Sequence, residues 1–373
     1  MPSMSRRTAM AAIPAIASSC WAPGAGSSET LPLAALRDIA ASKGLLFGAA
    51  VRSRQLSGTD GLAAALSAQC NVLVAEIEMK WAALERVQGS LDFAAADRIV
   101  AFARAHGQQL RGHTLVWHEA LPAWLPLAVT TGDATVLLVR HITAVCQHFG
   151  AQVQHWDVVN EALQPDQGQP DGLRRSLWLE RLGPGYLDLA FHTARAAAPH
   201  ASLIYNDFGL EQDEKWQDVK RAKLLQLLEG FRRRHVPVDG LGIQAHLNAG
   251  VPFHAGKFRA FLRAVAQMNF SIHITELDVN DRSLPADVDV RDAAVAGLTQ
   301  DFLDVALDEP KLEQLLMWGL SDKDSWLSKT PNKMRTDHLP QRSLPLDEEL
   351  RPKPMFAAVA QAMLRTKMRT TSK

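Results

Sequence analysis

Short runs of apolar and β-branched residues alternate with amphipathic segments along the chain, from about residue 33 almost to its end. Apolar runs of this length predict buried strands, and apolar residues at helical spacing predict helices. Eight strand candidates lie at residues 45–51, 72–76, 109–114, 152–161, 203–207, 241–246, 272–276 and 315–320. Helix candidates lie at 61–69, 94–106, 134–149 (with Asp133 as N-cap), 186–197, 214–234, 258–268, 293–307 and 354–364. This alternation predicts an α/β fold, a single (β/α)8 TIM barrel over residues 31–368, with a C-terminal tail at 369–373.

The charge and cysteine counts exclude several classes of protein. Lysine plus arginine and aspartate plus glutamate both number 40, so the net charge is near zero. Such a chain has no long-range field to attract nucleic acid, and a neutral ligand is expected. The three cysteines have neither zinc-type nor disulfide-scaffold spacing. Cys70 and Cys146 are predicted to be small buried hydrophobic residues, although a disulfide between them stays open.

The first 30 residues have the pattern of a signal peptide and a short linker. Arg6 and Arg7 precede a small apolar run at residues 9–17, and residues 15–17 fit an A-x-A cleavage site. The run is too short to span a bilayer, so we expect an exported periplasmic or secreted protein without a membrane span. The paired arginines also fit twin-arginine export, and Cys20 gives a weaker match to a lipid-attachment site.

Polar and aromatic residues stand at or just after the ends of the predicted strands. In a parallel barrel the carboxyl ends of all strands meet at one face, so residues far apart in sequence share one pocket. Two of these residues, Glu161 and Glu276, suggest an acid/base and a nucleophile acting on a glycosidic bond. The predicted site residues are Glu76, Lys80, His113, Trp117, Asn160, Glu161, Gln244, His246, Glu276, Asp278, Trp318 and Trp326. Asn206 and Asp207 also end a strand candidate, but no site role is predicted for them.

Other interpretations of single residues remain open. His155, His273 and Trp156 lie inside strand candidates and are expected to be core residues. Trp81, in contrast, stands where a ligand could stack on it. Histidines at positions 113, 118 and 246 raise the alternative of a metal hydrolase. The accompanying Gln, Asn, Lys and Trp side chains favour hydroxyl recognition instead, so no metal is expected. A flavin or nicotinamide cofactor is disfavoured because no glycine-rich phosphate turn is present.

Taken in order, the strand-end segments resemble glycoside hydrolase family 10, the endo-1,4-β-xylanases. The resemblance covers residues 40–360, and its ordered set of motifs is highly specific. The segments are residues 76–81 (EIEMKW), 111–118 (RGHTLVWH), 156–163 (WDVVNEAL), 205–207 (YND), 244–247 (QAHL), 274–278 (ITELD) and 318–322 (WGLSD).

The resemblance implies a role for each residue of the pocket. Glu161 would be the general acid/base and Glu276 the nucleophile of a retaining double displacement. His246 would hydrogen-bond Glu276, with Asp278 orienting it, and Asn160 would hold the 2-hydroxyl of the sugar at the cleavage point. Glycone hydroxyls would be bound by Glu76, Lys80, His113 and Gln244. The apolar faces of the sugars would be contacted by Trp117, Trp318 and Trp326.

Two positions depart from the family pattern. Ile77 stands where the family usually has an Asn that binds the distal glycone sugar, and Gly209 stands where Asn is common. Losing a hydrogen-bonding amide costs about 1 kcal/mol, so a weaker glycone subsite is expected. We therefore expect a monomer that binds β-1,4-xylan and xylo-oligosaccharides without a cofactor. The alternatives are a retaining enzyme for another β-glycan or an aryl β-glycoside, and a non-catalytic sugar-binding barrel.

Overall fold

The computed structural model describes residues 34–131 and 133–369. The predicted signal peptide and linker (residues 1–30), Cys20 and most of the predicted tail lie outside these residues. Arg369, the first residue of that tail, is described. Its guanidinium donates hydrogen bonds to the backbone oxygens of Leu307 (2.9 Å), Glu309 (3.2 Å) and Leu312 (2.6 Å), which ties it to the barrel.

Within the described residues, eight parallel strands close into a barrel, which confirms the predicted (β/α)8 fold. Each strand pairs with the next along the chain, and the last pairs with the first. The strands are β1 (Leu46–Val51), β2 (Val72–Ala75), β3 (Gln109–Val116), β4 (His155–Asn160), β5 (Ser202–Asp207), β6 (Gly240–Ile243), β7 (His246–Asn248), β8 (Ser271–Asn280) and β9 (Leu312–Met317). The short β7 is additional to the eight barrel strands, so β6 pairs with β8 in the barrel.

The sixth predicted strand, residues 241–246, is divided in the structure. β6 ends at Ile243, and β7 begins at His246 and extends the sheet along β8 through the pair His246–Asp278. Ala245, between them, has a φ of +62°, a left-handed conformation that breaks a strand. The apolar run does not reveal this turn, since Ala245 is a residue that ordinarily continues one.

The eighth barrel strand also differs from its prediction of residues 315–320, because β9 runs from Leu312 to Met317. Its first half contains the polar residues Glu313 and Gln314, which hide its strand character. Gln314 is buried and accepts a hydrogen bond from Arg111 (3.1 Å) inside the barrel. Polar pairing in the barrel interior thus replaces the apolar pattern that predicts a strand.

Helices lie between the strands on the outside of the barrel. The predicted N-cap is confirmed, since Asp133 accepts a hydrogen bond from the backbone N–H of Thr135 (2.8 Å). Most predicted bounds agree within a few residues. The helices are α1 (Leu36–Ser42), α2 (Leu62–Gln69), α3 (Trp81–Leu84), α4 (Ala94–Ala105), α5 (Leu125–Thr131), α6 (Ala134–Phe149), α7 (Leu177–Leu182), α8 (Tyr186–Ala197), α9 (Lys215–Arg233), α10 (Ala255–Gln267), α11 (Val288–Ala306) and α12 (Pro354–Arg365).

The main apolar core lies between the strands and the helices, and it contains Trp156, Cys70 and Cys146. Both cysteines are free and buried, as expected for small hydrophobic residues. The barrel interior is partly polar. Arg111 is fully buried there and its guanidinium binds Asp157 through two hydrogen bonds of 3.1 and 2.5 Å. Burial alone would raise the pKa of Asp157, but the charge of Arg111 lowers it below its ordinary value.

Candidate active site

A cleft of about 690 Å³ opens at the carboxyl ends of the barrel strands. The loops that follow β1, β2, β5 and β9 contribute to its walls, and the ends of β3, β4 and β8 form its floor. The structure brings every predicted site residue to this one cleft. They are Glu76, Lys80, His113, Trp117, Asn160, Glu161, Gln244, His246, Glu276, Asp278, Trp318 and Trp326.

Glu276 lies on β8 at the bottom of the cleft and is only 4% exposed. Its Oε1 accepts a hydrogen bond from Asn206 Nδ2 (2.8 Å), and its Oε2 lies 3.2 Å from His246 Nε2. Burial by itself would raise the pKa of Glu276, but the hydrogen bond from His246 and the surrounding charges lower it below its ordinary value. Glu276 is therefore held as a carboxylate at neutral pH.

His246 is bound on both ring nitrogens. Its Nδ1 lies 2.8 Å from Asp278 Oδ1, and Asp278 Oδ2 accepts a second hydrogen bond from Trp326 Nε1 (2.7 Å). Burial opposes ionisation of His246, but the charge and hydrogen bond of Asp278 and the hydrogen bond to Glu276 raise its pKa to about 10. The ring is thus an imidazolium at neutral pH and donates to both carboxylates.

Glu161 follows the last residue of β4 and has a φ of +56°. A non-glycine residue in this region is strained, and such residues cluster at functional sites. Its Oε2 accepts a hydrogen bond from Trp117 Nε1 (3.0 Å) and its Oε1 accepts one from Gln244 Nε2 (2.9 Å). Register shifts in β4 just before this point, at Asp157 and Val159, turn the strand end toward the cleft.

Asn206, at the end of β5, links the surroundings of the two glutamates. Its Nδ2 donates to Glu276 Oε1 and also to Asn160 Oδ1 (2.9 Å), and its Oδ1 accepts from Thr275 Oγ1 (2.8 Å). Gln244 Nε2 lies 3.3 Å from the same Asn160 oxygen. Asn160 is thus fixed with its amide oxygen inward. The predicted set of site residues lacks Asn206, although its strand-end position is the same signal that identifies its neighbours.

Lys80 and His113 both line the cleft. The Lys80 ammonium lies 4.7 Å from the ring centroid of Trp117 and 5.8 Å from that of Trp318. Burial lowers its pKa, against the opposing effect of Glu276 and Glu76. His113 Nδ1 lies 3.0 Å from Asp157 Oδ2, so its other nitrogen is directed away from that ion pair.

The end of the cleft formed by the loops after β1 and β2 contains a residue absent from the sequence prediction. Arg52, which follows β1 directly, binds both carboxylate oxygens of Glu76 through its Nε (2.8 Å) and Nη2. Ile77 lies beside this ion pair and is 41% exposed. Because β1 and β2 are adjacent and parallel, the positions of Arg52 and Glu76 directly after them could have indicated the pair.

Glu211, in the loop after β5, is a third residue absent from the predicted set, after Asn206 and Arg52. Its buried carboxylate accepts hydrogen bonds from the backbone N–H groups of Leu210 (2.7 Å) and Ala245 (2.9 Å). Ala245 separates Gln244 from His246, so Glu211 supports the left-handed turn between these two site residues. Burial raises the pKa of Glu211 above its ordinary value. No local sequence pattern predicts this contact, because it joins residues 34 positions apart in the chain.

Trp81 does not face the cleft, so the expectation that a ligand could stack on it is wrong. It is 3% exposed, stacks on His141 with ring centroids 3.6 Å apart, and donates through Nε1 to Glu85 (3.0 Å). The physical reason is that α3 begins at Trp81, which turns the ring beneath the loop toward α6. Trp178 packs against the same ring and donates to the backbone oxygen of Trp117 (3.2 Å), which supports that cleft residue from behind.

Among residues 34–131 and 133–369, no group of three His, Cys, Asp or Glu side chains is arranged to hold a metal ion. His155 and His273 pack edge to face inside the barrel with ring centroids 5.6 Å apart. Burial lowers the pKa of His155 to about 3, and that of His118, beside the cleft, to about 4.

Within residues 34–131 and 133–369, no helix is long and apolar enough to cross a membrane.

Fold and cleft together define a parallel barrel whose strand ends present a buried, ionised carboxylate beside a second, more accessible one. The family model for Glycosyl hydrolase family 10 matches residues 35–362, and the chain belongs to this family. It is 34% identical over 330 residues to "Exoglucanase XynX" of Acetivibrio thermocellus, which covers 84% of this chain and 28% of that protein. It is 31% identical over 297 residues to "Endo-1,4-beta-xylanase B" of Thermotoga neapolitana, which covers 79% of this chain and 80% of that protein.

The crystal structure of xylanase 10B from Thermotoga petrophila in complex with xylobiose is similar throughout the barrel. It superposes with a TM-score of 0.79 at 29% identity, covering 88% of this chain and 97% of that one. The described chain therefore corresponds to nearly the whole of that enzyme, whereas it spans only about a quarter of the length of the Acetivibrio relative (28%).

Proposed function

We propose that this chain is an endo-1,4-β-xylanase that hydrolyses internal bonds of xylan with net retention at the anomeric carbon. The observation that carries the proposal is the pair Glu276 and Glu161 in one cleft. Glu276 is kept ionised by the His246 imidazolium, and Glu161 is bound only by the neutral groups Trp117 and Gln244 at hydrogen-bond distance. A nucleophile needs the first environment, and a group that exchanges a proton needs the second.

The reaction proceeds in two displacements. Glu161, protonated, donates its proton to the glycosidic oxygen while a Glu276 oxygen attacks the anomeric carbon, so the leaving sugar departs as an alcohol and a glycosyl–enzyme ester forms. A water molecule then attacks the same carbon as Glu161 takes its proton, and the bond to Glu276 breaks. Two inversions give net retention, and both carboxyl groups return to their starting states.

The other cleft residues bind the polysaccharide. Asn160, held by Asn206 and Gln244, presents its amide to the 2-hydroxyl of the sugar at the cleavage point. Glycone hydroxyls are bound by Glu76, Lys80, His113 and Gln244. The apolar faces of the sugar rings are contacted by Trp117, Trp318 and Trp326. Asp278 acts through His246 and Trp326 and serves as a positioning residue. The catalytic residues themselves require neither a metal nor an organic cofactor for these steps.

Product analysis on plain xylan tests this proposal. An endo-acting enzyme lowers the viscosity of the polymer early and releases a series of xylo-oligosaccharides, and proton NMR of the first products shows the β-anomer. Release of xylose alone, or of the α-anomer first, would contradict endo action or retention. Binding of xylo-oligosaccharides without turnover by the wild-type protein would support a non-catalytic sugar-binding barrel instead.

A second candidate is a retaining enzyme for another β-linked glycan or for aryl β-glycosides. Two observations favour keeping it. Ile77 replaces the amide usual at the glycone end, and a relative 34% identical to this chain is named an exoglucanase. Initial rates on xylan, cellulose and mixed-linkage β-glucan separate the two candidates. A preference for either glucan would replace xylan as the proposed substrate, and the variant Ile77→Asn reports how far this position sets that preference.

We further propose that the chain is exported and acts as a monomer. Support for export comes from Arg6 and Arg7 followed by the small apolar run at residues 9–17. N-terminal sequencing of the protein from its native host would give a mature start soon after Ala17, and an intact Met1 would contradict export. Light scattering of the purified protein gives its oligomeric state, and the mass of one chain is expected, which falls below the 40.9 kDa of the full sequence once the signal peptide is removed.

A further inference from the structure

Trp216 is an exposed aromatic side chain that takes no part in the proposed mechanism. It is the second residue of α9, is 45% exposed and lines the cleft together with Phe208 and Gly209. The rings of Phe208 and Trp216 lie 6.5 Å apart at an interplanar angle of 53°. Large aromatic residues that stay solvent-exposed inside a cleft are candidates for ligand contact rather than for core packing.

The position of the indole depends on Gly209. A Cβ atom added to Gly209 would lie 2.3 Å from two carbon atoms of the Trp216 ring, far inside van der Waals contact. The ring therefore occupies the space that a side chain at position 209 would fill. An Asn at position 209 and the indole in this position therefore exclude one another.

The indole is also held in place by hydrogen bonds. Its Nε1 donates to Glu214 Oε2 (2.9 Å), which accepts a second bond from Gln217 Nε2 (3.0 Å). The Oε1 atom of the buried Gln217 accepts bonds from the backbone N–H groups of Glu211 (3.0 Å) and Gln212 (2.8 Å). A ring that is fixed before a ligand arrives loses little conformational entropy on binding.

The barrel order places Trp216 at the end of the cleft opposite Arg52 and Ile77. In the ring of eight strands, β5 lies four positions from β1 and β6 lies four positions from β2. Trp216 follows β5, whereas the proposed glycone contacts Glu76 and Lys80 follow β2. A chain that enters over β2 and passes the two catalytic glutamates therefore leaves over the loop after β5, on the leaving-group side.

From these observations we propose that Trp216 is a binding platform for a xylosyl residue of the leaving-group part of the substrate, with its exposed face stacked on the sugar ring. This inference rests on the proposed function and adds a specificity-determining residue to it. The C–H groups on the faces of a pyranose ring match the apolar face of an indole, and hydroxyl groups at the ring edge stay solvated.

Two substrates separate this contact from the chemistry. In an aryl β-xylobioside the leaving group is a single ring beside the catalytic pair, whereas xylohexaose extends several sugars past the point of cleavage. For Trp216→Ala we expect kcat/KM on xylohexaose to fall about 5- to 10-fold, the size of one aromatic contact, and kcat/KM on the aryl xylobioside to change less than twofold. The bond that is cleaved in xylohexaose should also shift.

Two further variants complete the test. Gly209→Asn displaces the indole without straining the backbone, since Asn tolerates the φ of +68° found there, and the same selective loss is expected. Val219→Ala, on an exposed position of the same helix, controls for damage to α9 and should match the wild type on both substrates. Equal losses on both substrates in Trp216→Ala, or no loss on either, would overturn the inference. A wild-type protein inactive on both would overturn the proposed function as well.

Discussion

The regions around Glu276 and Glu161 differ in charge, in exposure and in how their hydrogen-bond donors are fixed. Glu276 has a side chain 5% exposed, and its donors, His246 and Asn206, are each held by a further partner, Asp278 and Thr275. Glu161 has a side chain 14% exposed and receives bonds from Trp117 and Gln244, both neutral groups. One carboxylate is locked into a charged network and the other is not.

This difference shows how a barrel gives two chemically identical side chains separate tasks. A carboxylate that balances an imidazolium keeps its charge, because protonating it would remove one of the two negative charges that stabilise His246. A carboxylate bound by neutral donors can gain and lose a proton without breaking an ion pair. Substitutions at these two carboxylates and their hydrogen-bond donors each remove one element of this contrast.

Removing Glu276 should have the largest effect. In Glu276→Ala no nucleophile remains to form the covalent intermediate, so kcat on xylan should fall by about 10⁵- to 10⁶-fold, the loss seen when a covalent nucleophile is removed from other hydrolases. Azide fits the vacated space and should restore turnover with an activated aryl xylobioside, giving the inverted α-glycosyl azide. Reducing-sugar release and NMR of the azide product measure both outcomes. Hydrolysis of xylan at the wild-type rate would disprove the assignment.

Removing Glu161 should have a smaller effect that depends on the leaving group. General acid catalysis contributes about 10²- to 10⁴-fold, and Glu161→Ala should lose this factor on xylan, whose leaving group is a sugar alcohol. A dinitrophenyl xylobioside needs no proton on its leaving group, so formation of its glycosyl–enzyme should be nearly unaffected. Pre-steady-state release of dinitrophenol measures that step. Equal losses on both substrates would contradict the role of acid, and azide should here yield the β-azide.

Weakening the His246 ion pair should change the pH profile more than the maximal rate. The hydrogen bond and charge of His246 lower the pKa of Glu276, so His246→Asn should raise that pKa. Activity requires ionised Glu276, so the acid limb of kcat/KM should move to higher pH. Asp278→Asn leaves the imidazole in place and should shift the limb less, in the same direction. A profile of kcat/KM from pH 3 to 9 decides this, and an unmoved acid limb would contradict the electrostatic role.

The sequence predicts the barrel and the residues of the cleft well, because both depend on local patterns. Buried parallel strands read as apolar runs, and residues such as Glu161 and Glu276 interrupt those runs at their ends. What a local pattern does not contain is the geometry between loops. Two contacts join segments distant in sequence: Glu211 binds Ala245, whose φ is positive, and Arg52 pairs with Glu76. Trp81 shows the opposite error, since its place after a strand suggested exposure but a short helix buries it.

The smallest expected effect concerns the neutral donors of Glu161. Trp117→Phe keeps an aromatic ring in the cleft but removes the N–H that bonds Glu161 Oε2. One hydrogen bond to a charged group contributes about 1.5 kcal/mol or more, so kcat/KM on xylan should fall about 10-fold. If the bond positions Glu161 for proton donation, the loss on a dinitrophenyl xylobioside should be much smaller. An equal loss on both substrates would instead assign the effect to contact between the ring and the sugar. Trp117 would then have no part in proton donation by Glu161.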